Sequence, residues 1–168
     1  MSDFDNLVNA TDRIENEEVW TLYGKVGKEL EKRGLVRTKN YVGERGESLA
    51  IETYDKTPRL PKLQKAPEGT QNVDALSRKG ERYNIKTVRE PSDDTGAFYG
   101  CGGRTEANPE RKFEYVFIVL IDECYELKQV LELTWEQFLR YRRWNARMSA
   151  WKLALTQELV AEAKKIFP

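Results

Sequence analysis

Histidine is absent from the 168 residues. That absence removes serine–histidine–aspartate and cysteine–histidine triads, histidine-ligated zinc and every hydrolytic site that relies on a histidine base. Cysteine is scarce: only Cys101 and Cys124 occur, too few for a stapled secreted scaffold or a four-thiolate zinc site, and both are read as reduced thiols. Long apolar runs are also missing. No window approaches the roughly 20 apolar residues that span a bilayer, and the first residues form no apolar leader, so a cytoplasmic protein without membrane contact is expected. Net charge is lacking too, with 28 Lys plus Arg against 28 Asp plus Glu. Any surface for a polyanion must therefore come from local segregation of charge. Carboxylates, amides and lysine remain to carry chemistry.

The length suits one domain with a full core: an N-terminal helical part over 1–40, a core over 41–122, and a strand with C-terminal helices over 123–168. From Asp12 to Arg33, Val19, Trp20, Tyr23, Val26 and Leu30 recur at helical spacing. Asp12 with Glu15 fits a cap and Gly34 a stop, which predicts one amphipathic helix. A second helix is expected from about Val42 to Tyr54, with Leu49, Ala50 and Tyr54 inward and Glu47 on its edge. Pro58, Pro61 and Pro67 argue against helix over 57–69 and leave Leu60–Leu63 as a short edge strand.

Asn72–Ser77 and Glu81–Val88 read as paired strands around Arg78-Lys79-Gly80, with Gly80 in the left-handed third position of the loop. Residues 89–112 show no periodicity and are expected to form a mobile functional loop or to hide a short helix. Tyr115–Ile121 is an apolar run suited to a strand buried on both faces at the sheet centre. A strand from Cys124 to Leu133 follows, and Asp122-Glu123 before it reads as a turn. Thr134 and Gln137 match a capping box that opens a helix to about Trp144. A last helix is expected from Thr156 to Phe167, with Leu159, Val160, Ala163, Ile166 and Phe167 as its apolar stripe. The pattern is α/β, a mixed central sheet flanked by helices.

The hairpin carries the strongest pointer to chemistry. Setting Ser77 opposite Glu81 and counting inward places Asp74 opposite Asn84, with side chains on one face. Lys86 shares that face, while Tyr83, Ile85 and Thr87 point to the other. A carboxylate and an amide oxygen can hold a hard divalent cation while an ammonium faces a phosphate or an attacking water.

An acid on one strand and an acid-x-lysine tripeptide on the next form the signature of the PD-(D/E)XK nuclease superfamily, and Asp74 with Asn84-Ile85-Lys86 resembles it. The resemblance runs over roughly Gly43 to Leu120. Asp74 matches the first acid, Asn84 stands in the second acidic position and Lys86 matches the lysine. Gly43-Glu44-Arg45-Gly46-Glu47 resembles the helix element that carries a glutamate in many members, with Glu47 the better match and Glu44 its substitute. The resemblance implies a restriction-endonuclease-like core. It implies Mg²⁺, with Mn²⁺ as a substitute, held by Asp74, the Asn84 carbonyl and Glu47, and a water oriented by Lys86 for attack on a DNA phosphodiester. The activity implied is that of a small type II restriction enzyme of bacterial or phage origin, a homodimer on double-stranded DNA. Asn84 departs from the pattern, since a neutral oxygen costs the site one negative charge. Two alternatives follow: a catalytically weakened module of the same fold that binds DNA or a partner, and a helical protein-interaction domain with no cleft.

Phosphate contacts are expected from Lys62, Lys65, Arg78, Lys79, Arg89, Tyr99 and Arg104. The glycine-rich stretch Phe98–Arg104 lacks the Gly-Lys-Ser/Thr ending of a phosphate-cradling loop and reads as a loop that closes on DNA or as a plain surface loop. Cys101 has no activating partner in sequence and reads as inert. The basic, aromatic stretch Arg140–Arg147 reads as a solvated helix face or a backbone contact, and the C-terminal aromatics as a dimer interface.

Overall fold

The computed structural model describes residues 2–38 and 40–168, except for the side chain of Trp20, so that part of the expected N-terminal stripe lies outside the described residues. The chain divides into two compact units, Met1–Tyr41 and Val42–Pro168.

The first unit holds α1 (Asp3–Thr11) and α2 (Asn16–Lys32). These two helices replace the single helix expected from Asp12. Asp12 is the C-cap of α1, and the chain restarts at Glu15, whose extended backbone and N–H, donated to Glu18 Oε2 at 3.0 Å, begin α2. The missed α1 is opened by a reciprocal cap in which Asp5 N–H donates to Ser2 Oγ and Ser2 N–H to Asp5 Oδ2. Gly34 ends α2 at φ 66°, a left-handed stop that glycine adopts without strain.

The second unit begins within α3 (Tyr41–Lys56) and continues through β1 (Leu63–Lys65), β2 (Ala75–Ser77), β3 (Arg82–Arg89), β4 (Tyr115–Ile121) and β5 (Leu127–Thr134). It ends with α4 (Trp135–Tyr141), β6 (Arg143–Asn145), β7 (Ala150–Lys152), α5 (Gln157–Glu162) and β8 (Lys164–Phe167). Six strands form one mixed sheet in the order β1-β2-β3-β4-β5-β8, antiparallel except for the parallel pair β3–β4. The β4 strand lies inside this sheet, and alternate residues feed two cores. On one face, Leu49, Ala50 and Tyr54 of α3 pack on Tyr83, Ile85, Phe117 and Val119. On the other, Phe98, Phe113, Phe138, Leu153 and Leu159 cover Val116, Ile118, Leu131 and Leu133. An apolar run without alternation is what a strand with two buried faces requires.

The C-terminal helices are shorter than expected. The capping box forms, with Gln137 N–H on Thr134 Oγ1 and Thr134 N–H on Gln137 Oε1. The helix, however, stops at Tyr141, and Arg143–Asn145 pairs with Ala150–Lys152 as a hairpin on which Trp144 and Trp151 meet edge to face. The expected helix from Thr156 likewise ends at Glu162. Ala163 is extended (φ −66°, ψ 143°), and Lys164–Phe167 becomes an edge strand on β5 with Lys164 Nζ 3.1 Å from Glu132 Oε1. The open hydrogen-bonding groups along β5 and the buried Glu132 carboxylate outweigh the helical spacing of Ile166 and Phe167.

The 89–112 stretch holds no hidden helix, and partners distant in sequence pin it. Phe98 and Trp151 exchange backbone hydrogen bonds, and Thr95 N–H donates to Leu153 O. The Arg142 guanidinium donates to the carbonyls of Cys101 and Glu106 and lies 4.0 Å from the Trp151 ring. The edge strand expected at Leu60–Leu63 forms at Leu63–Lys65 instead, just beyond Pro61. Asp122 holds the β4–β5 turn by accepting the Cys124 and Glu126 N–H groups at 2.9 Å each, and it delays β5 to Leu127. Both cysteines are free, Cys101 buried and Cys124 exposed. Among the described residues no helix is long and apolar enough to cross a membrane.

Candidate active site

The β2–β3 hairpin has the register its loop length dictates. Ser77 N–H bonds Glu81 O at 3.0 Å, Gly80 sits at φ 82°, and Leu76 and Ala75 face Arg82 and Tyr83. One step further, Asp74 stands opposite Asn84, and there the two strands part. Asn72 at φ 61° turns the backbone away, and the Asp74 carboxylate takes over the missing strand by accepting the Ile85 N–H at 2.7 Å. This bond fixes one carboxylate oxygen by geometry alone. Asn84, only 3 % exposed, is oriented by its Nδ2 donating to Asn72 O at 3.2 Å. Its Oδ1 is buried with no hydrogen-bond donor among the described residues. A buried acceptor left unpaired costs roughly 1–3 kcal/mol, so a group that supplies positive charge would stabilise it.

Lys86 projects beside the glycine-rich loop, with Nζ 5.0 Å from the centre of the Phe98 ring. Burial pulls its ammonium below the ordinary lysine value, against the opposing pull of Asp74, Cys101 and Glu47. Burial likewise raises the Asp74 carboxyl, partly offset by the Ile85 N–H, Lys86 and Lys65. The same loop passes Asn72, where a Cβ built on Gly100 would lie 3.5 Å from the Asn72 amide nitrogen.

Helix α3 delivers two carboxylates. Gly46 lets the helix press on β3, since a Cβ there would lie 1.7 Å from Thr87 Oγ1, and this approach sets the height of Glu44 and Glu47 over the sheet. Lys65 Nζ lies 3.0 Å from Glu44 Oε2 and 3.0 Å from Glu47 Oε2. Burial raises the Glu47 carboxyl against the pull of Lys65, and Asp74 and Glu44 add to the rise. At Lys65 burial lowers the ammonium, but the hydrogen bonds to Glu47 and Glu44 together outweigh it and hold it above its ordinary value.

Asp74, Lys86 and Glu47 thus share one neighbourhood in which they feel one another's charge, and Asn84 joins it by standing opposite Asp74 on β3. The phosphate candidates scatter. Lys65 belongs to the carboxylate cluster, and Lys62 donates to Asp55 O beside α3. Arg89 donates to Glu123 O at 2.6 Å and lies 4.8 Å from the Tyr125 ring, which ties it to the β4–β5 turn. Arg78 and Lys79 are exposed on the hairpin loop, and Tyr99 is exposed on the glycine-rich loop. Arg104 lines an open cleft of about 390 Å³ with Thr105, Glu106, Leu139, Arg142 and Trp151. The pairing of Lys65 with Glu44 and Glu47, the Phe98 ring over Lys86 and the Gly46 contact go beyond the sequence expectations. Only the last had a local signal, a glycine inside a helix next to a candidate acid.

Among the described residues no three His, Cys, Asp or Glu side chains cluster as a metal centre. The donor set is two carboxylates and an amide oxygen. Mg²⁺ is commonly bound through one or two carboxylates together with substrate phosphate and water, so Asp74, Glu47 and the orphaned Asn84 Oδ1 fit such an ion. Comparison with family models and with curated proteins finds no match for the chain.

Proposed function

We propose that the chain is a Mg²⁺-dependent DNA endonuclease with a restriction-endonuclease-like core. The observation that carries this reading is the parting of β2 and β3, which leaves a fixed acid, an unpaired amide oxygen and a desolvated lysine together at one sheet opening. Asp74, Asn84 Oδ1 and Glu47 would hold the ion, which when bound would polarise a phosphoryl oxygen as a Lewis acid. The protein's own groups do the rest. Lys86 Nζ orients a water in line with the phosphorus and offsets negative charge as the P–O bond to the 3′ oxygen breaks. Because burial moves Lys86 toward neutrality, its Nζ exchanges a proton more readily than a surface lysine would. Phe98 shields one side of that ammonium from water. The exposed Arg78, Lys79 and Tyr99 are placed to meet a nucleic-acid backbone. One site per chain makes a two-fold homodimer the natural form for cutting both strands.

Asn84 favours a second reading, a module of the same fold that binds DNA and cuts it weakly or not at all. Plasmid nicking with Mg²⁺ or Mn²⁺ tests both. The nuclease reading expects cleavage that chelator abolishes and that Lys86→Ala lowers by about 10²-fold or more. Binding without cleavage points to the module, and cleavage indifferent to both Lys86→Ala and Asp74→Asn refutes the site.

A further inference from the structure

We infer that Lys65 is an internal counter-cation that a divalent ion displaces from Glu47, freeing its ammonium to meet the substrate phosphate. The inference rests on the nuclease reading above and concerns the same site. Two observations support it. First, Lys65 Nζ is 3.0 Å from a carboxylate oxygen of both Glu44 and Glu47, so the ammonium already sits where positive charge is most favoured on α3. Second, the carboxylates are the more buried partners: the Glu44 and Glu47 side chains are 7 % and 20 % exposed, against 32 % for Lys65. Lys65 is also the last residue of the short edge strand β1. The acids are therefore fixed, and the cation, on a flexible four-carbon stem beside solvent, is the part that can leave.

Lys65 and a divalent ion compete for the same carboxylate oxygen of Glu47, and the ammonium displaced from it is the charge left to meet the phosphate that accompanies the ion. When the ion is absent, Lys65 screens Glu44 from Glu47 and keeps two partly buried carboxylates one helical turn apart from repelling.

The test is direct Mn²⁺ binding to the full chain, read from the electron-spin-resonance signal of free Mn²⁺ without DNA. Wild type, Lys65→Met, Lys65→Gln and Lys65→Arg are compared, with Asp74→Asn as the site control. Removal of the competing charge should tighten Mn²⁺ binding about tenfold in Lys65→Met and Lys65→Gln, and Lys65→Arg should stay near wild type. The gain should shrink as salt is raised. In a second arm, Mg²⁺-dependent affinity for a short duplex should fall in Lys65→Met although its metal binding improves, a split that loss of structure would not produce. Equal or weaker Mn²⁺ binding by both neutral variants overturns the inference, and sensitivity to Asp74→Asn in the same experiment leaves the nuclease site standing. If neither wild type nor the neutral variants bind Mn²⁺, both ideas fall. If only the neutral variants bind it, competition by Lys65 is upheld in its strongest form. Lys65→Gln keeps the test open should Lys65→Met not fold.

Discussion

Replacing Gly46 with alanine sets two effects of similar size against each other. Intrinsic propensity favours alanine over glycine in a helix interior by about 1 kcal/mol, so a helix with room at this position would be stabilised. The structure leaves none: a Cβ on Gly46 would lie 1.7 Å from Thr87 Oγ1, 2.7 Å from Thr87 Cβ and 2.8 Å from Thr87 Cγ2. Rotation about χ1 can swing Oγ1 and Cγ2 aside, but Cβ is fixed to the backbone of β3, so α3 or the strand has to yield. Overpacking of this kind costs about 1–3 kcal/mol where it can be absorbed, and more where it moves backbone. The clash should therefore win, for a net loss of up to about 2 kcal/mol and a Tm lower by up to roughly 8 °C. Because Glu44 and Glu47 ride on the same turn, the lifted helix should also weaken Mn²⁺ binding. Thermal melts with parallel Mn²⁺ titrations give both readouts, and Thr87→Gly in the Gly46→Ala background should recover part of each through a coupling of about 1 kcal/mol. A Tm that rises in Gly46→Ala would mean that propensity governs, and the close approach of α3 to β3 would have to be abandoned.

Two further predictions concern the site's charges. Burial holds the Asp74 and Glu47 carboxyls above their ordinary values, so each keeps its proton to a higher pH than a surface acid does. A cation needs the ionised forms; Mn²⁺ affinity should fall as pH drops through a range above that of ordinary carboxylates, less steeply in Asp74→Asn. Affinity that holds constant down to about pH 4 would contradict this. The same sign makes these two groups destabilising once ionised without metal, so their contribution to stability should improve as pH falls through the raised values. Asn84→Asp should separate binding from stability. The added negative charge should tighten Mn²⁺ binding, while loss of the Nδ2 donor to Asn72 O and burial of a carboxylate at a position 3 % exposed should lower apo stability by about 1–3 kcal/mol. Metal titration and a urea melt give the two halves, and an unchanged affinity removes Asn84 from the ligand set.

The part of the site that was legible in the sequence is the part built from neighbours. A three-residue loop with glycine at its left-handed position fixes which residues of the next strand face which of the last, so Asp74 and Asn84 come together by counting. The apolar run of β4 and the Thr134–Gln137 cap are equally local. The cap of α1 lay open in the same way, since Ser2 and Asp5 have the required spacing. What could not be read depends on partners far apart in the chain. The 89–112 segment looks structureless because Phe98 finds its backbone partner at Trp151, and Lys164–Phe167 looks helical until β5 offers an unpaired edge.

Lys65 shows why this division matters for chemistry. Among the flanking lysines and arginines it reads as one more phosphate contact, yet the antiparallel pairing of β1 on β2 turns it back to α3 and onto Glu44 and Glu47. Residue type supplies the acids and the amine; the sheet edge decides whether an amine meets substrate or neutralises an acid. Under the displacement inferred above, the two roles need not exclude each other, since a divalent ion that takes the Glu47 carboxylate would release the ammonium. A basic residue near a hairpin acid should therefore be judged first by which side of the sheet its strand presents, and only then by its charge.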